Sequence, residues 1–171
     1  MSISKQIKEK IISIYDRYHK KEYLGLDPLV CVRVFKDKSE QEVVALIASC
    51  LSYGRVEQII KSINVVLDIS QGCPLEFIRN TSFKKKKTLL RSFKHRFNTG
   101  TDIAVLLEII RHILDKYNNL EQFYLSSNQI NTREKITDFS ERIHSLSQKF
   151  ASQKSISFNY LFEKKKLISK S

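Results

Sequence analysis

The segment from Lys84 to Arg96 concentrates the side chains best able to bind an anionic ligand. It holds no acidic residue and seven cations, which are Lys84, Lys85, Lys86, Lys87, Arg91, Lys94 and Arg96. Lysine is a compact point charge that suits phosphate oxygens, and the neighbouring Phe83, Phe93 and Phe97 could stack on bases or fill a core. A basic run is also typical of a solvated helix face, so both interpretations stay open. The phosphate-contacting one makes these seven cations the candidate nucleic-acid-binding residues.

His112 is the second place where residue types and spacing could support chemistry. Glu108 lies four residues before it and Asp115 three residues after it, so the three side chains can share one helical face. That arrangement would suit a metal ion or a general base oriented by a carboxylate. Nothing else in the sequence supplies a ligand or a nucleophile at a recognisable spacing, and phosphate-binding loops and nucleophile elbows are missing. An ordinary salt-linked histidine is therefore favoured, and neither a metal nor a cofactor is expected.

The cysteines and the hydropathy pattern bear on the compartment. Cys31, Cys50 and Cys73 include no Cys-x-x-Cys pair and stand in apolar surroundings, which is typical of reduced thiols. No apolar run approaches the roughly 18 residues that a bilayer requires, and the basic first segment lacks the pattern of a secretory signal. We therefore expect a cytoplasmic protein without a membrane partner.

Length and composition indicate one α-helical domain. The 171 residues include 42% apolar side chains but only four Gly and two Pro, which argues against disorder and against a β-fold with many turns. The net charge of +12 raises the affinity for any polyanion. We predict an all-α, single-domain helical bundle of about six to eight helices over residues 1–150, followed by a loosely held basic tail over residues 151–171.

Hydrophobic periodicity places the helices that would carry these candidates. Steps of three and four between apolar residues predict helices over residues 3–18, 56–67, 102–117 and 132–150, and Pro74 suits the first position of a short helix. Ser39 and Glu42 predict a capping box at the start of a further helix. Its uncharged stretch from Val43 to Leu51 predicts the most buried helix of the bundle. Gly54 then marks a bend or a close backbone approach.

Three blocks of the sequence resemble a known family. They are YLGLDPL at 23–29, EVVALIASCLSYGRV at 42–56 and FKHRF at 93–97, and the second is the most specific. Together they resemble the bacterial family called domain of unknown function 2400, over roughly residues 11–161. The family gives its motif positions no known role, and those that match here are Asp27, Pro28, Tyr53, Gly54 and Arg55.

The resemblance carries expectations about function. The later half of the family is similar to helix-hairpin-helix DNA glycosylases, and its Cys-Lys-Arg, Leu-Arg-Trp-Met and Leu-Asp-Thr-His segments do not occur in this chain. This chain therefore resembles an N-terminal fragment of the family. No catalytic residue can be transferred to it, and no activity is expected of the chain alone. The leading hypothesis is non-specific binding of DNA or RNA through a basic surface. The alternatives are a non-catalytic helical interaction module, or half of a split glycosylase-like protein completed by a separately encoded C-terminal half.

Overall fold

A computed structural model describes residues 4–20, 23, 25 and 27–154, and it confirms a mostly α-helical fold. Within those residues the chain forms nine helices and one two-stranded hairpin, one helix more than the predicted range allowed. The elements are α1 (Lys5–Tyr18), α2 (Leu29–Arg33), α3 (Lys38–Leu51), α4 (Val56–Ile69), α5 (Pro74–Asn80), α6 (Phe83–Leu89), β1 (Lys94–His95), β2 (Asn98–Thr99), α7 (Gly100–Tyr117), α8 (Leu120–Leu125) and α9 (Thr132–Lys154). Helix α9 continues past the boundary predicted at residue 150, and the rest of the predicted tail lies outside the described residues.

Helix α7 forms the centre of the fold. It packs against α5, α6, α8 and α9, and every residue from Asp102 to Ile110 is buried. Helix α3 buries six residues, whereas α7 buries twelve. The prediction that 43–51 is the most buried helix is therefore wrong. An uncharged stretch does show that a helix enters the core. The buried stretch of α7 is nevertheless continuous, whereas Ser49 of α3 is exposed, and the one buried glutamate of α7, Glu108, has a partner inside.

The cap of α3 differs from the predicted one. Asp37 is the N-cap residue, and its Oδ1 accepts a hydrogen bond of 3.1 Å from the backbone N–H of Glu40. The predicted pairing of Ser39 with Glu42 is wrong, because the Glu42 carboxylate instead accepts from the backbone N–H of Leu120 at 2.9 Å. Glu42 thus satisfies a free donor at the start of α8 and joins two helices that are distant in sequence.

Helix α7 begins earlier than predicted. Thr99 is its N-cap residue and forms a capping box with Asp102, whose Oδ2 accepts from the Thr99 backbone N–H at 2.7 Å. The helix begins at Gly100, so the predicted start at residue 102 is two residues late. The predicted end is confirmed, because the helix stops at Tyr117 and Asn118 takes a positive φ of 71°.

Helix α1 is amphipathic, as predicted, but its apolar face is not in the core. None of its 14 residues is buried, and Ile7, Ile11 and Ile14 are each at least half exposed. Periodicity predicts which side chains share a face and not whether another element covers that face. In the part of the chain that the structure describes, no helix has the length and apolar character needed to cross a membrane.

Candidate nucleic-acid interface

Helix α6 carries the first four candidate cations, and the sequence did not predict it as a helix. Ser82 caps it, since its hydroxyl accepts from the backbone N–H of Lys85 at 3.4 Å. Lys84, Lys85 and Lys87 are exposed, and the Lys87 ammonium lies 5.9 Å from the centre of the Phe83 ring. Three of the four lysines are therefore accessible to a ligand.

Lys86 is fully buried, which corrects its assignment as a phosphate contact. Its Nζ donates to Glu108 Oε1 on α7 and to the carbonyl oxygen of Ile78 at the end of α5, both at 2.7 Å. Arg111 binds the second oxygen of Glu108 at 2.7 Å. Burial lowers the pKa of Lys86, and the adjacent Glu108 carboxylate opposes that shift. Lys86 therefore anchors α6 to α7 and cannot contact a ligand.

The remaining candidate cations lie after α6, on a turn and a hairpin. Arg91, Lys94 and Arg96 are exposed. Strands β1 and β2 pair antiparallel, with Lys94 opposite Thr99, so that Arg96 and Phe97 alone form the turn. The structure thus brings six of the seven predicted cations to the surface of one continuous segment, residues 84–96.

A buried polar cluster under the hairpin joins it to the loop between α3 and α4. His95 Nδ1 lies 2.8 Å from the Ser62 hydroxyl, and His95 Nε2 lies 3.2 Å from the Tyr53 carbonyl oxygen. Because a carbonyl can only accept, we infer that Nε2 carries the proton. The Ser62 hydroxyl also lies 2.8 Å from the Gln58 carbonyl oxygen, to which it donates. The Tyr53 ring packs edge-on against the imidazole, and its hydroxyl accepts from the Asn98 amide. Two of the three family-like blocks therefore meet here, at Tyr53 and at residues 93–97.

Gly54 is required by its backbone conformation, and the Arg96 side chain of the hairpin lies over it. A Cβ at this position would lie 2.5 Å from Nε of Arg96, and the residue has a φ of 115°, which side chains rarely tolerate. The Arg96 guanidinium therefore lies across the backbone of Gly54. The prediction of a close backbone approach at Gly54 is confirmed, although it occurs in a loop rather than inside a helix.

The other family-motif positions start helices and lie outside the cluster. Asp27 Oδ1 accepts from the backbone N–H of Leu29 at 2.7 Å, and Pro28 is the residue before α2. Arg55 is exposed and precedes α4. All three act at the ends of helices, where their roles follow from backbone geometry.

The His112 group does not assemble as a site. Glu108 binds Lys86 and Arg111, and the half-buried His112 ring packs edge-on against Phe150 at 5.8 Å. Asp115 is exposed. Among the residues described by the structure, no group of three histidine, cysteine or acidic side chains could hold a metal ion.

We predict that stability depends on the neutral state of His95. Burial lowers its pKa below the ordinary value of 6.5, while hydrogen bonding to Tyr53 raises it by a smaller amount. The unfolded chain then binds this proton more tightly, so stability is complete above pH 6.5 and is lost as the pH falls below that value. Urea midpoints measured between about pH 8 and pH 5 should fall, and His95→Gln should flatten the dependence. His19→Gln, at the exposed C-cap residue of α1, should leave the pH dependence unchanged. A His95→Gln protein with the parent's pH dependence would contradict the assignment.

Comparisons with known proteins provide the family and no activity. No curated protein and no solved structure matches the chain. A family model described as "Protein of unknown function (DUF2400)" matches residues 27–170, which is most of the sequence. The matched region contains Asp27 and Pro28, the Tyr53 loop and the hairpin that packs on it. The chain therefore belongs to the DUF2400 family, as the three sequence blocks predicted.

Proposed function

We propose that this protein binds DNA or RNA non-specifically, through phosphate contacts from α6 and the hairpin that follows it. One observation carries the proposal: the surface of residues 83–97 displays six exposed cations and no acidic side chain. These cations are Lys84, Lys85, Lys87, Arg91, Lys94 and Arg96. Together with a net charge of +12, this surface attracts a polyanion over long distances.

Because Lys86 points into the core, the helical geometry of α6 determines where its other three lysines point. Successive helical residues are separated by about 100°, so with Lys86 pointing inward Lys84 points away from the core. Lys85 and Lys87 leave the helix on either side. Such an array can follow a sugar–phosphate backbone, but lysines that contact phosphates do not distinguish base edges. Competition between unrelated duplexes of equal length should therefore show little preference.

The affinity should depend strongly on salt, and three lysines should account for a measurable part of that dependence. Replacing Lys84, Lys85 and Lys87 together by Gln should flatten the slope of log affinity against log salt by about 2.7, from roughly 0.9 per neutralised phosphate. These side chains are exposed, so the urea midpoint should change little. Fluorescence anisotropy of a labelled duplex, titrated at several salt concentrations, gives the slope.

A matched control removes the same charge elsewhere. Replacing Lys5, Lys8 and Lys10 on α1 by Gln also removes three exposed lysines, and it should leave most of the slope intact. If the α1 variant loses the slope and the α6 variant keeps it, the contact surface is α1. A parent protein without measurable affinity at low salt would reject the proposal.

The expected likeness to DNA glycosylases favours DNA over RNA as the ligand. The same titration with DNA and RNA duplexes of equal length tests this choice. A-form RNA presents a different phosphate spacing, so an array fixed on α6 should bind the two duplexes with different affinities. Equal affinities would leave the charge-based proposal intact and remove the preference for DNA.

A second function is supported by α1. A 14-residue helix is marginal in water, and α1 has no buried residue to stabilise it. The exposed faces of Ile7, Ile11 and Ile14 would be covered in a helical interaction module, for which we propose a separately encoded C-terminal half as partner. If that partner co-purifies with the parent protein but not with the Ile7→Glu/Ile11→Glu variant, this function is supported. If the partner also co-purifies with the variant, the function is opposed.

A further inference from the structure

We propose that α1 binds an amphipathic helix of a partner protein, and that acidic residues border the apolar stripe of that helix. This inference rests on the second function proposed above, the helical interaction module, and names the chemistry of its partner. The spacing of four, three and four residues along one face of α1 is that of a coiled-coil seam. The residues of this α1 seam are between 50% and 54% exposed, and they are Ile7, Ile11, Ile14 and Tyr18.

The α1 seam is narrow, which favours a single helix as its partner. Successive helical residues are separated by about 100°, so Ile11 and Ile14 at the two edges of the seam lie only about 60° apart. Beside the seam, Tyr15 stacks on His19 with 4.5 Å between the ring centres. A helix that packs on a broad apolar surface typically has a stripe at least about 100° wide, whereas a narrow seam packs on one neighbouring helix.

Cations border the α1 seam on both sides. Lys8 lies on one side, Lys10 and Arg17 lie on the other, and all three are exposed. The two acidic residues of α1, Glu9 and Asp16, lie on the opposite face of the helix. When two helices pack, residues at the border of the seam form the interhelical salt bridges that determine partner choice. The partner helix therefore needs carboxylates at its own border.

A second copy of α1 does not meet this requirement. It would bring only the same three cations to the border, and in an antiparallel pair Lys10 of each copy would lie near Arg17 of the other. Like charges at such positions destabilise a helix pair. The Arg17 guanidinium lies 5.3 Å from the centre of the Tyr18 ring, which holds this cation beside the seam. The charges therefore favour a different, acidic helix over self-association.

Two synthetic peptides test the charge requirement. Each has three heptads with leucine at both seam positions, and the border positions hold glutamate in the acidic peptide and lysine in the basic one. The acidic peptide should bind the full chain about tenfold more tightly, because each of three exposed charge pairs changes from attraction to repulsion. Fluorescence anisotropy of the labelled peptides gives both dissociation constants.

Reversing the charges on α1 should reverse the preference between the peptides. The variant Lys8→Glu/Lys10→Glu/Arg17→Glu should bind the basic peptide about tenfold more tightly than the acidic one. Its seam is unchanged, so the apolar contacts with leucine are the same in both comparisons. If this variant still prefers the acidic peptide, the border residues of α1 do not select the partner and the inference is wrong.

Two further variants locate the contact. Ile7→Ala/Ile11→Ala changes no charge and should lose most of the affinity for the acidic peptide, since it removes apolar area from the seam. The matched control replaces Lys84, Lys85 and Lys87 on α6 by Gln, and it should retain the parent's affinity. If the α6 variant loses the acidic peptide and the α1 variant keeps it, the peptide binds the basic surface of α6 and the inference is overturned.

The outcomes separate this inference from the function on which it rests. If the C-terminal half co-purifies through Ile7 and Ile11 while the two peptides bind the parent equally or not at all, the module function stands and the acidic border is wrong. If no partner co-purifies and neither peptide binds, the module function fails and the inference falls with it. If vesicles of phosphatidylglycerol bind the parent but not Ile7→Ala/Ile11→Ala, while the acidic peptide does not bind, α1 contacts lipid and the inference is overturned.

Discussion

Glu108→Ala is expected to destabilise the fold by about 3 to 5 kcal/mol, because it leaves a buried ammonium without its counter-charge. The Lys86 side chain has no exposed surface, and that of Glu108 is 2% exposed. After the substitution, the carbonyl oxygen of Ile78 would be the only remaining partner that the structure gives to Lys86 Nζ. Urea denaturation at neutral pH measures the loss, with Arg111→Gln as a comparison that removes only the partly exposed member of the group.

A double variant distinguishes loss of the ion pair from loss of packing. Apolar replacements of similar volume often substitute for a buried pair at little cost, so Lys86→Met/Glu108→Leu should recover much of the stability lost in Glu108→Ala. Lys86→Met alone should cost less than Glu108→Ala, since the remaining carboxylate keeps Arg111 as a partner. A cost below about 1 kcal/mol for Glu108→Ala would contradict the buried pair.

The Lys86–Glu108 ion pair could not be predicted from the sequence. Four consecutive lysines from Lys84 to Lys87 predict a cationic surface, and three of them form one. Which of the four turns inward depends on the rotation of α6 against α7, and its partner Glu108 lies 22 residues away. The sequence relates Glu108 only to His112, because spacing along one helix is visible in the sequence and contacts between helices are not.

The elements that periodicity could predict are the longer ones with regular apolar faces. Helix α4, the start of α5 at Pro74 and the end of α7 at Asn118 agree with the prediction. The sequence does not predict the hairpin, because its two-residue turn, Arg96 and Phe97, lacks the Asn or Gly that signals such turns. The sequence identifies the Tyr53 and FKHRF blocks as motifs, but the contact between Tyr53 and His95, 42 residues apart, follows from the tertiary fold.

Gly100→Ala should also be strongly destabilising, by about 3 kcal/mol, although alanine is the better helix former. A Cβ at Gly100 would lie 1.8 Å from the carbonyl oxygen of Leu90 and 2.6 Å from its carbonyl carbon. Both are backbone atoms, so no side-chain rotation relieves the clash. Gly100 has no positive φ, so the requirement is for space rather than for an unusual conformation.

The sign of the change in the urea midpoint shows whether packing or helix propensity dominates at Gly100, the first residue of α7. If propensity dominated, Gly100→Ala would raise the urea midpoint; if the contact with Leu90 dominates, the midpoint falls. Gly25→Ala is the matched control, because a Cβ there meets nothing within 4 Å and the residue has no positive φ. Leu90 is the C-cap residue of α6, and its carbonyl accepts from the Phe93 backbone N–H at 2.8 Å. A displaced Leu90 would therefore also shift the segment that leads into the hairpin. An unchanged or higher midpoint for Gly100→Ala would show that α7 does not press against α6 in this way.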